Sequence, residues 1–522
     1  MRRLGRVRAA VCLSAVAALS VTGCAPWLAA NPQFATDGAS NPAGDPATST
    51  SAAGPSEITE PKNDLTWRDC TAKATGDAGV PAMPGVIFEC AEYDADLDPI
   101  SGATGTLNIG AMRARSVQTP PGAGPLVFTT GSDLPSSLQL PVWLSRSGAD
   151  VLKSRPIVAV DRRGMGMSSP IDCRDAVDRQ QMREQAQFQP GDDPVASLGA
   201  ITTTATTGCT DVLSPGDSAY DNARAAEDLE RLRSTWDVPV LAVMGIGNGA
   251  QVAMAYAGSH PEKVARLVLD SPIAPGVAAE AAADDQAKGQ QSALDAFAAQ
   301  CVAANCALGP DPKGAVDALL AAARAGRGPG GASVAALTTA ITTALGYPSG
   351  DRIGSTVKLA NTLAAARSGD VNQLNNLINA AEAMRDSDGQ FVNRCSDALS
   401  RPTPDRVREL VVAWGKQYPQ FGAVAALNLA KCLSWPSGAA PKDPKNFKVN
   451  TLLLGVQNDP IAGSGGVAAT SAMIINAGAT SKRVMWQGIG HGASVYTACA
   501  VAPLVGYLNT GALPPTDTFC PA

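Results

Sequence analysis

Hydrophobic and polar residues alternate along the chain in blocks that predict strands and helices in turn. The strand-like runs are nearly continuous apolar segments, as expected for strands buried on both faces of a parallel sheet. They cover residues 106–114, 124–131, 155–164, 238–245, 264–272, 449–460 and 482–491. Segments with helical periodicity lie between them. This alternation predicts an α/β fold, with helices on both sides of a mostly parallel central sheet.

The strand pattern stops over a long interval, residues 277–444. Segments within it, such as SALDAFAAQCVAA and AVDALLAAARAG, have helical periodicity instead. We interpret this interval as a helical cap inserted between two late strands. The core would then consist of an N-terminal part, residues 63–276, and a C-terminal part, residues 445–522.

The N-terminus has the pattern of an export signal. Four arginines precede an apolar stretch over residues 9–21, which is shorter than the roughly 20 residues that a membrane span needs. We therefore predict a signal peptide over residues 1–23. The segment Val21-Thr22-Gly23-Cys24 resembles a bacterial lipobox, which predicts lipidation of Cys24. An ordinary secretory signal with a chance cysteine is the alternative.

Residues 24–62 combine that cysteine with a stretch rich in Ala, Pro, Ser, Thr and Gly. Such a composition cannot bury enough apolar surface to fold, so we expect a disordered tether. The protein would then be exported and attached to the outer face of the cell membrane by its lipid, or secreted. A net charge of −6 argues against nucleic acid as a partner.

The chain has twelve cysteines, of which Cys12 belongs to the predicted signal and Cys24 to the predicted anchor. An even number then remains, and in an exported protein this predicts five disulfides. Pairing of sequence neighbours is the simplest guess, because each bond then closes a short loop. The remaining cysteines are Cys70, Cys90, Cys173, Cys209, Cys301, Cys306, Cys395, Cys432, Cys499 and Cys520. With only two histidines and no Cys-x-x-Cys pair, we predict no metal site and no cofactor.

A tight glycine turn, Gly245-Ile246-Gly247-Asn248-Gly249, separates one of the apolar runs from a helical segment. It has the form of a nucleophile elbow, Gly-x-Ser-x-Gly, whose central serine attacks the substrate in α/β hydrolases. Gly247 occupies the central position. Because glycine accepts positive φ at little cost, we expect the turn to persist without the attacking hydroxyl.

Asp459 and His491 each follow a predicted strand and are 32 residues apart, with room for one helix between them. This is the order of acid and histidine after the nucleophile in α/β hydrolases. Taken alone, Asp459 could be a turn residue and His491 a solvated loop residue. Their joint placement after an elbow-shaped turn favours a former catalytic pair.

Further motifs occur in a characteristic order: VDRRGMGMSSP with Asp161, Arg163 and Gly164, then HPEKVARLVLDSP after the elbow, then CSD at 395–397. With the elbow, they resemble the actinobacterial secreted tripeptidyl-aminopeptidases, which are α/β hydrolases related to prolyl iminopeptidase, over about residues 64–520. The resemblance implies an α/β-hydrolase fold with a helical cap and supports local pairing of the cysteines. It also implies that Asp397 lies near a substrate's free amine, although a cap-surface aspartate is the alternative.

The chain departs from that family at two places. The family's serine aligns with Gly247, and its oxyanion loop, typically Gly-Gly-Pro-Gly, reads Thr130-Gly131-Ser132-Asp133. A carboxylate at Asp133 would oppose the negative charge that develops during acyl transfer. We expect Gly131, Ser132 and Asn248 to line the remaining pocket, together with Asp397.

These features predict an envelope lipoprotein that is a weakly active or inactive pseudo-peptidase and binds a peptide or an acyl ligand. Two alternatives stay open. The protein could be an active hydrolase that uses a relocated nucleophile, Ser132 or Ser494, or a water activated by Asp459 and His491. It could also be a scaffold for another envelope protein.

Overall fold

The computed structural model describes residues 56–185, 192–436, 438 and 440–522. The predicted signal peptide, the predicted lipidation site Cys24 and most of the predicted tether lie outside the described residues. Those assignments therefore stay predictions.

The described strands form a single mixed sheet in the order β1-β2-β3-β5-β4-β6-β7-β8-β9-β10. The pairs from β1 to β3 and the β3–β5 pair are antiparallel. All pairs from β5 to β10 are parallel, which confirms the predicted α/β class. The strands are β1 (Arg68–Asp69), β2 (Val86–Asp96), β3 (Thr106–Ser116), β4 (Leu126–Thr129), β5 (Ile157–Val160), β6 (Leu241–Ile246), β7 (Val264–Asp270), β8 (Thr451–Asn458), β9 (Ser481–Ile489) and β10 (Thr518–Cys520).

Each predicted strand corresponds to one of these, but the sequence analysis missed β1, β2 and β10. The cause is clearest for β2, where buried and more exposed positions alternate and acidic residues interrupt the apolar pattern. One of them, Glu89, forms ion pairs with Arg113 and Arg115 on the adjacent β3. A strand with a solvated face lacks the continuous apolar run that identified the central strands.

Helices cover both faces of the sheet and form the cap. The helices of the core and its loops are α1 (Thr71–Asp77), α2 (Ser136–Arg146), α3 (Ala176–Arg183), α4 (Pro194–Leu213), α5 (Asn222–Trp236), α6 (Asn248–Ser259), α15 (Gly466–Asn476), α16 (Ala493–Tyr496) and α17 (Ala498–Thr510). Those between β7 and β8 are α7 (Ala279–Ala303), α8 (Pro312–Arg324), α9 (Val334–Gly346), α10 (Arg352–Arg367), α11 (Asn372–Arg385), α12 (Asp388–Asp397), α13 (Pro404–Gln417) and α14 (Gly422–Asn428). Short 3-10 helices cover Gly148–Lys153, Pro261–Lys263, Pro329–Gly331 and Leu429–Cys432.

The helices between β7 and β8 have a hydrophobic core of their own, with Phe297, Leu320, Ile341 and Leu363 fully or almost fully buried. They lie inside the interval that the sequence analysis assigned to the cap. Helices α3 and α4, between β5 and α5, pack against this cap through a cluster that includes Cys209, Phe391 and Trp435. The sequence analysis did not recognise this second helical contribution.

Five disulfides join cysteines that are neighbours in sequence order, and these are the pairs that the simplest guess gives. Such a set of disulfides is typical of proteins exported to an oxidising compartment. Within the described ranges, no helix combines the length and the apolar character that a bilayer crossing requires. The pairs are Cys70–Cys90, Cys173–Cys209, Cys301–Cys306, Cys395–Cys432 and Cys499–Cys520.

Close packing of α6 against the sheet depends on Gly249, where an added Cβ would lie 2.1 Å from the Thr129 carbonyl oxygen. We expect Gly249→Ala to lower the free energy of unfolding by about 1–3 kcal/mol or more, because the backbone of β4 would have to move. Gly199→Ala, in the open part of α4 where nothing lies within 4 Å, is the control and should stabilise by about 0.5–1 kcal/mol. Denaturant unfolding of both variants tests this, and equal effects would contradict it.

Candidate active site

The elbow is preserved in the backbone. Gly247 follows the fully buried β6 and precedes α6, with φ 58° and ψ −119°, a conformation that strains any residue with a side chain. Its N–H donates to the carbonyl oxygen of Asp270 at 2.9 Å. An added Cβ at Gly245 would lie 2.2 Å from the carbonyl oxygen of Gly249, so helix and strand approach closely here. The turn therefore retains its shape with no side chain at its centre.

Asp459 and His491 form the pair that the sequence order predicted to meet. Asp459 follows β8 and His491 follows β9, and the carboxylate Oδ2 lies 2.9 Å from imidazole Nδ1. The other carboxylate oxygen, Oδ1, accepts from the backbone N–H groups of Ile461 and Ala462 at 2.8 and 3.0 Å. Both members of the pair are buried. The acid is thus fixed by its own loop and presents a fully enclosed charge to the imidazole.

Asp133 fills the space that a serine side chain at position 247 would occupy. Its Oδ2 accepts from the N–H of Asn248 at 2.7 Å and lies 3.4 Å from Nε2 of His491. A Cβ added at Gly247 would lie 2.0 Å from this oxygen and 2.5 Å from Nε2. Neither atom could stay in place. A carboxylate from the loop after β4 thus stands where the nucleophile of an elbow is expected.

His491 is flanked by two carboxylates, one at each ring nitrogen. Burial by itself would lower the pKa of His491, but the charges of Asp459 and Asp133 raise it to about 10. Burial alone would raise the pKa of Asp133, whereas His491, Arg385 and the Asn248 N–H together hold it below its usual value. The two carboxylates therefore favour the imidazolium form of His491 from both sides of the ring.

The predicted binding residue Asn248 is fully engaged within the protein. Its Oδ1 accepts from the Ser132 N–H at 2.8 Å and from Arg162 at 2.6 Å. Its side-chain amide donates to Gln251 at 2.9 Å and to Asp397 at 3.2 Å. Gly131 has φ 57°, and a Cβ there would lie 2.2 Å from the Asn248 Oδ1. Asn248 and Gly131 therefore shape the loop around Asp133.

Asp397, which the family resemblance placed near a substrate amine, is paired inside the protein. Arg162 donates to both of its carboxylate oxygens, at 2.7 and 3.0 Å, and the N–H of Asn222 donates at 2.8 Å. The side chain of Arg162 is completely buried and that of Asp397 is 9% exposed. A fixed cation thus holds the place at which a substrate ammonium was expected.

Two serines considered as relocated nucleophiles are also placed. Ser132 is 1% exposed, and its N–H donates to Oδ1 of Asn248. Ser494 donates its hydroxyl to Asp270 at 2.6 Å.

The motif residues Asp161 and Arg163 are structural here. Asp161 accepts from Ser137 and Met167, and Arg163 forms a buried ion pair with Asp228.

The cap fixes the loop that carries Asp133, and sequence reasoning missed these residues. From α12, Gln390 donates to the Asp133 carbonyl oxygen at 2.7 Å and Arg394 donates to that of Ser132 at 3.3 Å. Tyr347, just after α9, places its ring edge-on to His491 with centroids 5.7 Å apart. No local signal marks these residues, since each acts on a partner far away in the sequence.

In the part of the chain that the structure describes, no group of three or more His, Cys, Asp and Glu side chains could hold a metal ion. The ionisable side chains that meet at the elbow are Asp133, His491 and Asp459.

Two sequence families match this chain. A family described as alpha/beta hydrolase fold matches residues 132–312, which include the Asp133 loop and the elbow. A second family, described as TAP-like protein, matches residues 418–520, which include Asp459 and His491. Outside both matches lie Gly131 and four residues of the cap, Tyr347, Gln390, Arg394 and Asp397.

Among curated proteins, the chain is similar to serine protease Hip1 from Mycobacterium tuberculosis and Mycobacterium bovis, at 30% identity over 31% of this chain and 32% of that protein. It is also similar to tripeptidyl aminopeptidase from Streptomyces lividans, at 26% identity over 29% of each chain. The match thus spans about a third of the length of these curated relatives.

Solved structures with a related chain course include esterase E22, with 12% identity, a TM-score of 0.39, and coverage of 80% of this chain and 98% of that one. A thermophilic esterase from Thermogutta terrifontis matches with 13% identity, a TM-score of 0.34, and coverage of 80% and 96%. The fold assignment rests on the sheet order and on the family matches.

Removal of one flanking carboxylate should change the titration of His491. We expect Asp133→Asn to lower the pKa of His491 from about 10, because one of the two charges that stabilise the imidazolium is lost. NMR titration of the imidazole signals measures this. The chain has only two histidines, so a His260→Gln variant assigns the signals, and an unchanged pKa would contradict the assigned contact.

The contacts of His491 with Asp133 and Asp459 also predict how the free energy of unfolding depends on pH. Because the folded-state pKa of about 10 exceeds the ordinary value of 6.5, the stabilising contribution of His491 is complete below pH 6.5 and is lost as the pH rises to 10. The unfolding free energy of the wild type should fall through this window by up to about 1.4 kcal/mol per pH unit from this group. Asp133→Asn should narrow this pH range, because the folded-state pKa of His491 falls toward 6.5. Parallel slopes for both proteins would be inconsistent with this account.

Proposed function

We propose that this chain, a TAP-like α/β hydrolase by its family matches, is a pseudo-peptidase that binds a ligand at the cap and does not turn it over. The observation that carries the proposal is the position of the Asp133 carboxylate, bonded to the Asn248 N–H and facing His491. An acyl-transfer site needs a nucleophile, a base and an oxyanion donor, and the Asp133 carboxylate interferes with each of them.

The nucleophile is the first function. Gly247 has no side chain, and the space in front of it is filled by Asp133. Loss of a triad nucleophile leaves only about 10³–10⁴-fold acceleration over water, supplied by the oxyanion hole and by binding. The proposal therefore depends on whether the other two functions survive.

The base is the second function. With its pKa raised to about 10 by the two carboxylates, His491 is mainly an imidazolium at pH 7. An imidazolium cannot take a proton from a serine or from water. General-base catalysis contributes typically about 10²–10⁴-fold, and this protonation removes most of it.

The oxyanion donor is the third function. In α/β hydrolases the N–H of the residue after the nucleophile stabilises the oxyanion, and here that N–H belongs to Asn248. It already donates to Asp133 at 2.7 Å. A developing oxyanion would have to displace a carboxylate, and loss of a single donor costs about 10²–10³ in rate. These three effects together support a protein with negligible peptidase activity.

The relocated-nucleophile alternative has little support. The hydroxyl of Ser494 is bonded to Asp270, and Ser132 is buried in the loop beneath the cap. The scaffold alternative has no specific observation in its favour. The proposed ligand remains a peptide-like or acyl molecule.

We also propose that the protein acts at the cell envelope. The support is the export pattern of its N-terminus, the lipobox-like segment ending at Cys24 and the disulfides. A lipid at Cys24 would attach the domain to the outer face of the membrane through residues 24–62. Any protein partner would then be another envelope component.

A fluorophosphonate probe, which reacts with activated serines, tests the proposal on the purified chain. We expect no adduct on the wild type or on Gly247→Ser, because Asp133 blocks the new hydroxyl. The double variant Gly247→Ser with Asp133→Gly should gain labelling, since it restores both the hydroxyl and a free Asn248 N–H. Intact-protein mass spectrometry measures the adduct.

The matched control is Gly247→Ala with Asp133→Gly, which has a similar side-chain volume at position 247 but no hydroxyl and should stay unlabelled. A stoichiometric adduct on the wild type would overturn the proposal. Equal labelling of the single and the double serine variants would show that Asp133 does not block the site.

A further inference from the structure

A cavity of about 310 Å³ lies within the cap, bounded on one side by Pro460 and Ile461, which directly follow Asp459. Its walls come from α3, α7, α9, α11, α12, α14 and the 3-10 helix at Leu429–Cys432. This volume is at the lower end for small-molecule sites. The cavity also adjoins the Asp133 loop, because Arg394 lines it and donates to the Ser132 carbonyl oxygen.

The cavity is strongly positive. Its lining contains two carboxylates, Glu382 and Asp386, and six cationic side chains, an excess of four positive charges. Arg183 lies 3.5 and 3.7 Å from the two carboxylates, and Arg174 lies 3.1 Å from Asp386. The acids are therefore already compensated within the wall. The cations are Arg174, Arg183, Arg385, Arg394, Arg401 and Lys431.

Four of these cations have no carboxylate within ion-pair distance among the residues that the structure describes. Arg394 and Arg401 donate to backbone carbonyl oxygens, and Arg385 donates to the Tyr347 hydroxyl at 3.0 Å. The ε-ammonium of Lys431 has no hydrogen-bond partner in the described chain, while its side chain faces the cavity. Asp133 and Asp386 act on Arg394, and Asp386 acts on Lys431, only from beyond ion-pair distance.

Burial of unpaired charge is costly, and the cavity shows that cost. Burial lowers the pKa of Lys431 to about 8, and burial together with the neighbouring Arg385 lowers that of Arg394 to about 10. Both groups are still cationic at neutral pH. Buried cations such as Lys431 and Arg394 are normally compensated by a bound group of opposite charge.

We propose that this cavity binds a small organic anion whose carboxylate or phosphate group contacts Lys431 and Arg394. This inference rests on the proposed function, because it takes the cap as the ligand site. Guanidinium and ammonium groups recognise both kinds of anion through charge-assisted hydrogen bonds. A ligand with a free amine is disfavoured here by the same excess of positive charge. The proposal thus narrows the ligand to an anionic acyl or phosphorylated molecule.

Titration of the full chain with citrate and with inorganic phosphate tests this proposal by isothermal calorimetry and thermal unfolding. We expect saturable binding of at least one anion and a rise in Tm that sodium chloride of equal ionic strength does not reproduce. Tighter binding of citrate indicates a carboxylate ligand, and tighter binding of phosphate indicates a phosphorylated one. Absence of saturable binding by both anions would overturn the proposal.

Lys431→Met is the diagnostic variant. It removes one enclosed charge and retains the length of the side chain, so we expect a folded protein with a Tm at least equal to that of the ligand-free wild type. The anion should bind at least about tenfold more weakly, since loss of one partner from a buried charged contact is costly. The matched control is Lys416→Met, at an exposed position on α13, and it should leave Kd unchanged. Equal binding by wild type and Lys431→Met would contradict the proposal.

The outcomes separate this proposal from the proposed function. If the serine variants label as expected and no anion binds, the ligand class is wrong while the pseudo-peptidase stands. If the wild type labels with the probe and anions bind at Lys431, the pseudo-peptidase is wrong while the anion site stands.

Discussion

The contact between the Asp133 carboxylate and the first backbone N–H of α6 determines what the rest of this site can be. It places a negative charge at a helix N-terminus, which favours anions, and at 2.7 Å it is a charge-assisted hydrogen bond. The same oxygen faces His491. One carboxylate therefore satisfies the N–H of Asn248, stabilises the imidazolium and fills the space above Gly247. The residues around it are arranged to keep it there.

Several long-range contacts keep that loop in place. Gln390 and Arg394 of the cap bind its carbonyl oxygens, and Asn248 binds its backbone at Ser132. Arg162 donates a hydrogen bond to Asn248 and forms an ion pair with Asp397. These contacts connect the cap, the elbow and the loop after β4 into one polar network. These contacts favour a single arrangement, because a shift of the loop would separate Asp133 from His491 and from the N–H of Asn248.

The extent to which the sequence could predict this site follows from the kinds of interaction involved. The elbow at Gly247 and the order of Asp459 and His491 were predictable, because local patterns mark the ends of β6, β8 and β9. The Asp133 carboxylate was expected near the oxyanion position, but its contact with His491 was not. The backbone that carries it is bound by Gln390, which is 257 residues away in the sequence. Arg162 was equally invisible, because only the folded chain brings it to Asp397.

The absence of a side chain at Gly247 has a consequence for the history of the protein. A hydroxyl restored there alone would collide with Asp133, and removal of the carboxylate alone would leave the turn without a nucleophile. Neither single step regains chemistry, and the first also disturbs packing. Recovery of acyl-transfer chemistry would therefore need both changes, and only the order that removes the carboxylate first avoids a steric clash.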